Sequence, residues 1–314
     1  MSTAPPIAAV DVGSNSIQLT LARVDRDRVL VIDRVKDAAR LGNAIGPDRR
    51  LDPAAAARAI EVLRRFRATA DEHRAVIRAT GTAALRAARD GAEFVARVAA
   101  ETGIAIELIS GAEEGRLVLG GVLYGLPALR RAAPMVVDVG GGSTELIFGR
   151  AGRAAAVTSV PLGSLVVCRR FIGVDPVRRA VARRALERVM ARLADRAADA
   201  GRIGFTDAVA TGGSIQRIAR IACALDGDRR VSVHGYRLDR AALAAVIERL
   251  MRAPTVAERR RIPGMDPERA DTLLGGALVF EALTRLLVLR QWTVSMDALR
   301  TGLIVDTDAR ARTR

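Results

Sequence analysis

The side chains best able to do chemistry occur in two copies of one short pattern. Asp11-Val12-Gly13-Ser14-Asn15-Ser16-Ile17-Gln18-Leu19 recurs as Asp138-Val139-Gly140-Gly141-Gly142-Ser143-Thr144-Glu145-Leu146. Both read Asp-Val-Gly-x-x-Ser-x-x-Leu. A phosphate needs several donors converging on its oxygens. Glycines let backbone N–H groups approach closely, successive N–H groups form an anion nest, and Ser and Thr hydroxyls add donors. The Asp ahead of each turn cannot take phosphate directly, because like charges repel. It can hold a hydrated Mg²⁺ that bridges to one, since hard cations take carboxylate and water oxygens. Asp11 and Asp138 would then flank one metal–phosphate site from opposite domains. Ordinary glycine hairpins would share the glycines; the Asp and Ser in register in both copies are what point to a ligand.

A third glycine turn, Thr211-Gly212-Gly213-Ser214, lies between an apolar run and a helical run starting at Ile215. Strand, turn and helix N-terminus together offer N–H groups and a positive dipole end to an anion, although a plain helix cap looks the same. The segment Ser110-Gly111-Ala112-Glu113-Glu114-Gly115-Arg116 adds carboxylates. Ser110 and Glu113 fit a capping box. Glu114 has no such structural task, and it could accept a proton from a water attacking phosphorus. Glu145, on the second strand of the second hairpin, could reach a metal there.

The elements that must position these groups follow from local patterning. Apolar runs Ile7 to Val10 and Met135 to Val137 precede the two Gly/Ser turns, and strand-like sequence follows each turn. Between the repeats the pattern predicts a strand at 29–35 and a helix at 54–72, opened by Asp52 and Pro53. A strand at 75–79, helices around Leu85 and at 91–102, and a strand at 104–109 follow. The second half repeats the plan, with a strand at 155–160, helices within 175–200, a strand at 206–210, and helices at 214–225, 239–252 and 268–287. A late strand is expected at 288–294 and a charged, frayed tail at 309–314. This alternation is α/β. The expected domains are 1–125 and 126–314, with a seam near Tyr124 to Pro134 and a last helix that can pack back on the first domain.

Bulk properties narrow the function. The 314 residues allow two domains and ample core. No long apolar run and no leader-like N-terminus is evident, so a soluble, cytoplasmic protein is expected. Cys168 and Cys223 read as reduced thiols without metal-ligand spacing, and His73 and His234 are isolated. Net charge is +15, and Lys36 is the sole lysine. A P-loop, which needs Lys after its glycine, is excluded. Arginines welcome polyanions, but aromatics are only 3%, too few for base stacking. A phosphate polymer or nucleotide is therefore favoured and DNA is not expected.

At this point the chain resembles the exopolyphosphatase / guanosine pentaphosphate phosphohydrolase (Ppx/GppA) family, of the actin–Hsp70–sugar-kinase superfamily. The resemblance runs through Asp11 to Ser16, Arg40-Leu41-Gly42, Thr82 to Arg86, Ser110 to Gly115, Asp138 to Glu145, Pro161-Leu162-Gly163, Ala210 to Ser214, Arg269-Ala270-Asp271 and Ala298-Leu299-Arg300. It implies two ribonuclease-H-like domains with an interdomain cleft. Glu114 would position and deprotonate the lytic water, and Arg86 would neutralise charge on the transferred group. Asp138 and Glu145 would bind Mg²⁺ or Mn²⁺, with Asp11 nearby. Phosphates would sit on Ser14, Asn15, Ser16 and Arg40, on Gly141, Gly142, Ser143 and Thr144, and on Gly212, Gly213 and Ser214. The implied reaction releases orthophosphate from polyphosphate or from the 5′ end of pppGpp, in the stringent response, by a cytoplasmic homodimer.

The sequence departs from the family pattern in places. Many members carry a further His-Asp-type helical domain, whereas this chain reads as the short two-domain form, which favours shorter chains or nucleotides. Asp297 and Thr301 stand where the family has Gly and Glu, and Asp90 where it has Asn. Two other functions fit the same residues. One is a polyphosphate- or (p)ppGpp-binding sensor with little turnover. The other is a nucleotide-dependent kinase or switch, because a carboxylate base can activate a hydroxyl as well as a water.

Overall fold

The computed structural model describes residues 4–26, 28–173 and 175–313. The chain divides into two compact units, Met1–Tyr124 with Asp297–Arg314, and Gly125–Met296. The second unit thus ends at Met296 and not at Arg314, and the last helix belongs to the first unit.

The first unit comprises β1 (Ile7–Val12), β2 (Ile17–Asp25), β3 (Arg28–Asp37), α1 (Pro53–Glu72), β4 (Val76–Gly81), α2 (Ala83–Ala87), α3 (Gly91–Thr102), β5 (Ile106–Leu108) and α4 (Gly111–Gly125). The second comprises β6 (Pro134–Val139), β7 (Thr144–Arg150), β8 (Arg153–Val160), α5 (Ser164–Val167), α6 (Arg179–Ile203), β9 (Asp207–Thr211), α7 (Gly213–Leu225), β10 (Arg237–Asp239), α8 (Arg240–Met251), α9 (Val256–Arg260), α10 (Leu273–Leu286) and β11 (Gln291–Val294). The last helix, α11 (Leu299–Arg312), returns to the first unit.

The two sheets repeat one plan. The first has the order β3-β2-β1-β4-β5, and the second, read from its other edge, β8-β7-β6-β9-β11-β10. In each, an antiparallel meander of three strands is joined by a parallel fourth strand beside the first. Register carries the repeat to single residues. Asp11 faces Gln18 on β2 and Thr80 on β4, while Asp138 faces Glu145 on β7 and Thr211 on β9.

Each sheet is held by helices whose apolar faces follow from their spacing. In the first unit Ile60, Leu63 and Phe66 of α1 and Phe94 and Val98 of α3 are buried with the strand residues Val10 and Leu19. Asp52 caps α1 by accepting from Ala55 N at 2.8 Å, with Pro53 in the first turn. Helix α11 packs on β1 and β2. It crosses α4 at two glycines: a Cβ on Gly121 would lie 2.1 Å from Ala298 O, and one on Gly302 would lie 1.9 Å from Leu117 O. Asp306 of α11 accepts from Arg78 at 2.5 Å, Arg116 at 2.9 Å and Arg310 at 2.8 Å.

The core of the second unit centres on α10, which is buried from Leu273 to Thr284, and on Trp292, whose Nε1 donates to Thr284 Oγ1 at 2.8 Å. Arg259 is buried there, donating to Asp175 Oδ1 at 2.9 Å and to the carbonyls of Ala253, Pro254 and Ala270.

Two local expectations need correction. The late strand begins only at Gln291, because Val288 is exposed and left-handed at φ 53°. The tail is helical to Arg312, where ion pairs Asp306–Arg310 and Asp308–Arg312, one turn apart, support the last turns.

Candidate active site

The first glycine turn is closed by Gly13 N donating to Ser16 O at 3.1 Å, and the second by Gly140 N donating to Ser143 O at 3.0 Å. In each unit a Leu-Gly segment latches onto the turn. Gly42 N donates to Ser14 O at 2.8 Å and Arg40 N to Asn15 O at 3.2 Å. Ser164 N donates to Gly140 O at 2.9 Å, Leu165 N to Gly141 O at 3.0 Å and Gly163 N to Gly142 O at 3.2 Å. A Cβ on Gly163 would stand 2.4 Å from the Gly141 backbone, so only glycine permits this approach. Leu41 and Leu162, one place before each latch glycine, are buried anchors.

In the first unit Asp11 ends β1 just before the turn. Part of the residue reaches solvent, yet its Oδ1 is sealed and has no hydrogen-bond partner among the described residues. Burial pushes its pKa up to about 7, Arg300 pulls it down and Glu114 pushes it up. Glu114, in the first turn of α4, is buried and accepts from Arg86 Nη1 at 2.8 Å. The same nitrogen donates to Ile109 O at 2.8 Å. Burial raises the Glu114 pKa above the ordinary carboxylate value, against the hydrogen bond and charge of Arg86. Glu113 points elsewhere. Its N–H is capped by Ser110 Oγ at 3.1 Å, but its carboxylate grips Arg116 in two bonds of 2.8 Å, so the capping box is only half made. The paired Arg116 lowers the Glu113 pKa, which leaves Glu114 as the buried base candidate.

In the second unit Asp138 and Glu145 are direct cross-strand neighbours. Glu145 is buried and its Oε1 accepts from Ser159 Oγ at 2.8 Å. Gly141 and Gly142 are half-buried at the turn, and Ser143 is buried. Thr144, expected among the phosphate donors, is fully buried and its hydroxyl donates to Leu162 O at 2.8 Å. Its side chain holds the latch, because the strand pleat turns it into the core and away from the turn.

The third turn joins Asp138 within the same unit. Gly212 has φ 88°, and a Cβ there would lie 2.3 Å from Asp138 Oδ1. Gly213 and buried Ser214 then open α7. Two arginines converge here: a Cβ on Gly213 would meet Arg269 Nη2 at 2.7 Å, and Arg217 of α7 pairs with Asp266 at 3.2 Å. Burial lowers the pKa of both, a cost that an arriving anion would relieve.

The donor set bears on a metal. Among the described residues no three His, Cys, Asp or Glu side chains gather as a ready-made metal cage. Asp138 and Glu145 give the second unit a pair of all-oxygen donors; in the first unit Asp11 Oδ1 is sealed without a partner among the described residues. That fits a hard cation that keeps several waters and completes its shell from phosphate, as Mg²⁺ does.

A pocket of about 750 Å³ opens beside the first turn, lined among others by Arg40, Asn43, Arg50, Asp52 and Arg58. Arg40 is left-handed at φ 50°; its backbone N–H bonds the turn and the half-buried residue lines this pocket. Arg50 lies 3.4 Å from Glu93, while Arg58 has no hydrogen-bonded or ionic partner among the described residues.

Gln18, Ser159, Arg217, Arg269 and Arg300 join these sites without being among the residues that the sequence singles out for a role. Arg269 and Arg300 lay within segments carrying the family resemblance. Gln18 had a signal in the repeat itself, where it holds the place of Glu145.

Comparison with known proteins bears on this geometry. A model described as the Ppx/GppA phosphatase family matches residues 20–311. A curated relative, guanosine-5′-triphosphate,3′-diphosphate pyrophosphatase of Aeromonas hydrophila, is 28% identical over 100% of this chain and 63% of its own length. The chain thus spans less than two thirds of that relative. A crystal structure of the Aquifex aeolicus Ppx/GppA family member superposes with TM-score 0.82 at 27% identity, covering 98% of each chain. An exopolyphosphatase from Cytophaga hutchinsonii gives TM-score 0.85 at 25% identity, over 96% of this chain and 98% of its own.

Proposed function

Because the chain belongs to the Ppx/GppA phosphatase family, we propose that it is a Mg²⁺-dependent hydrolase of phosphoric anhydrides. It removes terminal orthophosphate from inorganic polyphosphate or from pppGpp. The observation that carries this reading is the buried Glu114 carboxylate held by the half-buried Arg86. A binding protein has no use for a desolvated carboxylate of raised pKa beside a phosphate turn, whereas a water base does.

In the proposed reaction Glu114 takes a proton from water as its oxygen attacks the terminal phosphorus. The bridging P–O bond breaks and its electron pair leaves with the shortened chain. Arg86 has Nε and Nη2 free of protein partners among the described residues, so this edge can face the transferred group. Ser14, Asn15 and Ser16, and in the second unit Gly141, Gly142 and Ser143, donate to phosphate oxygens. Gly212, Gly213 and Ser214 do likewise, with Arg269 behind them. In the second unit Asp138 and Glu145 would hold Mg²⁺, and in the first Asp11 is the candidate cation ligand; the cation would supply charge neutralisation on the phosphates. The Arg40–Arg58 pocket supports a substrate with further anionic groups beyond the terminal phosphate.

The test is orthophosphate release with Mg²⁺ from short polyphosphate, long polyphosphate, pppGpp and ATP, in wild type, Glu114→Ala and Glu114→Gln. Release from polyphosphate or pppGpp that falls by orders of magnitude in both variants supports the reading. Release undiminished in both variants would move the base away from Glu114. Tight polyphosphate binding without release would favour the sensor.

A further inference from the structure

Ser16 closes the first phosphate turn and is buried. Its Oγ accepts from Gln18 Nε2 at 2.9 Å. Gln18 Oε1 in turn accepts from Arg300 Nη1, which arrives on α11 from the far end of the chain. An amide can be turned either way, and only its network decides which. Here the network decides, because a guanidinium has donors and no acceptor. Gln18 must offer its oxygen to Arg300 and its NH₂ to Ser16. Ser16 therefore accepts from the protein, and its own O–H has no acceptor among the described residues.

We propose that Arg300 is a positioning residue that sets the hydrogen-bond polarity of the phosphate turn. It fixes the Gln18 amide and so makes the Ser16 hydroxyl an obligate donor to an anion. This rests on the phosphate reading of the turn and adds a source for its direction. The second repeat shows why the position is Gln and not Glu. There Glu145 stands across from Asp138 as Gln18 stands across from Asp11. Glu145 accepts a hydroxyl hydrogen from Ser159, and a carboxylate at Gln18 would likewise draw in the hydrogen that Ser16 needs for its ligand. The repeat has thus diverged into an anion-donating hairpin and a carboxylate hairpin. The C-terminal helix supplies what the first one requires.

The test is a calorimetric titration of the full chain with inorganic tripolyphosphate, which needs no turnover. The variants are Ser16→Ala, Gln18→Met, their double, Arg300→Met and Arg300→Lys. Gln18→Met leaves the charge unchanged. It should raise the Kd about three- to tenfold, the worth of one hydrogen bond, and add nothing further in the Ser16→Ala background. Arg300→Lys keeps a donor-only cation and should stay within about twofold of wild type, while Arg300→Met should be at least as weak as Gln18→Met, because it also removes a positive charge that acts on Asp11 beside the turn. Additive losses of Ser16→Ala and Gln18→Met, or a lysine variant as weak as the methionine one, would overturn the relay and leave the hydrolase reading standing. A wild type that neither binds tripolyphosphate nor releases orthophosphate would sink both.

Discussion

Arg86 Nη1 lies 2.8 Å from Glu114 Oε2, and both side chains are largely withdrawn from solvent. The pair balances two opposed effects on one carboxylate: burial raises its pKa, and the guanidinium lowers it. Removing Arg86 leaves only the first. Glu114 must be ionised to accept a proton, so activity should rise with pH through its apparent pKa. Arg86→Met should move the acidic limb of the kcat/KM profile to higher pH, besides lowering its plateau. A profile that keeps its acidic limb in place would separate Arg86 from the base.

Asp11 gives a stability prediction of definite sign. Its pKa is about 7 in the fold against 3.8 ordinarily. Between these values the folded chain holds a proton that the unfolded chain has lost, so stability falls as pH rises through this window. Above pH 7 the buried charge carries its full penalty. Asp11→Asn should therefore raise the melting temperature at pH 8, by the equivalent of about 2–4 kcal/mol, and the gain should fade towards pH 4. Thermal melts of both proteins at several pH values, without divalent cations, decide this.

Metal dependence can be probed through the hydroxyl behind Glu145. Ser159 Oγ donates to Glu145 Oε1 at 2.8 Å. If Glu145 holds Mg²⁺, Ser159→Ala should raise the half-saturating Mg²⁺ concentration by about tenfold, while EDTA should abolish release in both proteins. Equal Mg²⁺ titrations in the two would remove Glu145 from the metal set.

The return of the last helix rests on two glycines. A Cβ on Gly302 would stand 1.9 Å from Leu117 O, a backbone atom that cannot step aside. Gly302→Ala should cost about 2 kcal/mol or more and, by loosening α11, weaken tripolyphosphate binding through Arg300. Gly120→Ala is the control, since a Cβ there meets nothing within 4 Å. Melting curves of the two variants should differ clearly.

Substrate length should register at Arg58, which lines the pocket beside the first turn and has no partner among the described residues. Arg58→Glu should raise the KM for long polyphosphate several-fold, because a contact between charges is reversed in sign, and leave that for ATP nearly unchanged. Equal effects on both substrates would indicate a general field and no subsite.

Much of this was legible in the residues. The doubled Asp-Val-Gly-x-x-Ser-x-x-Leu pattern encodes strand, turn and strand by local chemistry alone: β-branched runs, glycines where the backbone must approach, and hydroxyls at the turn. Glu114 could be distinguished from Glu113 because a capping position has a local signature and the next residue faces another way. Asp52 and Pro53 marked the start of α1 for the same reason. Thr144, by contrast, stands with the phosphate donors by its place in the motif, whereas the strand pleat sends its hydroxyl to Leu162 O.

Sequence by itself determined the α/β class, the repeat, and which residue types could meet a phosphate, because turns, caps and strand periodicity are set by neighbours along the chain. Tertiary structure decided where the last helix goes, which the sequence left open between the two domains, and it alone decided that Arg269 backs the third turn and that Arg300 reaches Gln18. Those contacts join residues dozens to hundreds of positions apart. Their geometry depends on how sheets and helices close on one another, which no local pattern encodes.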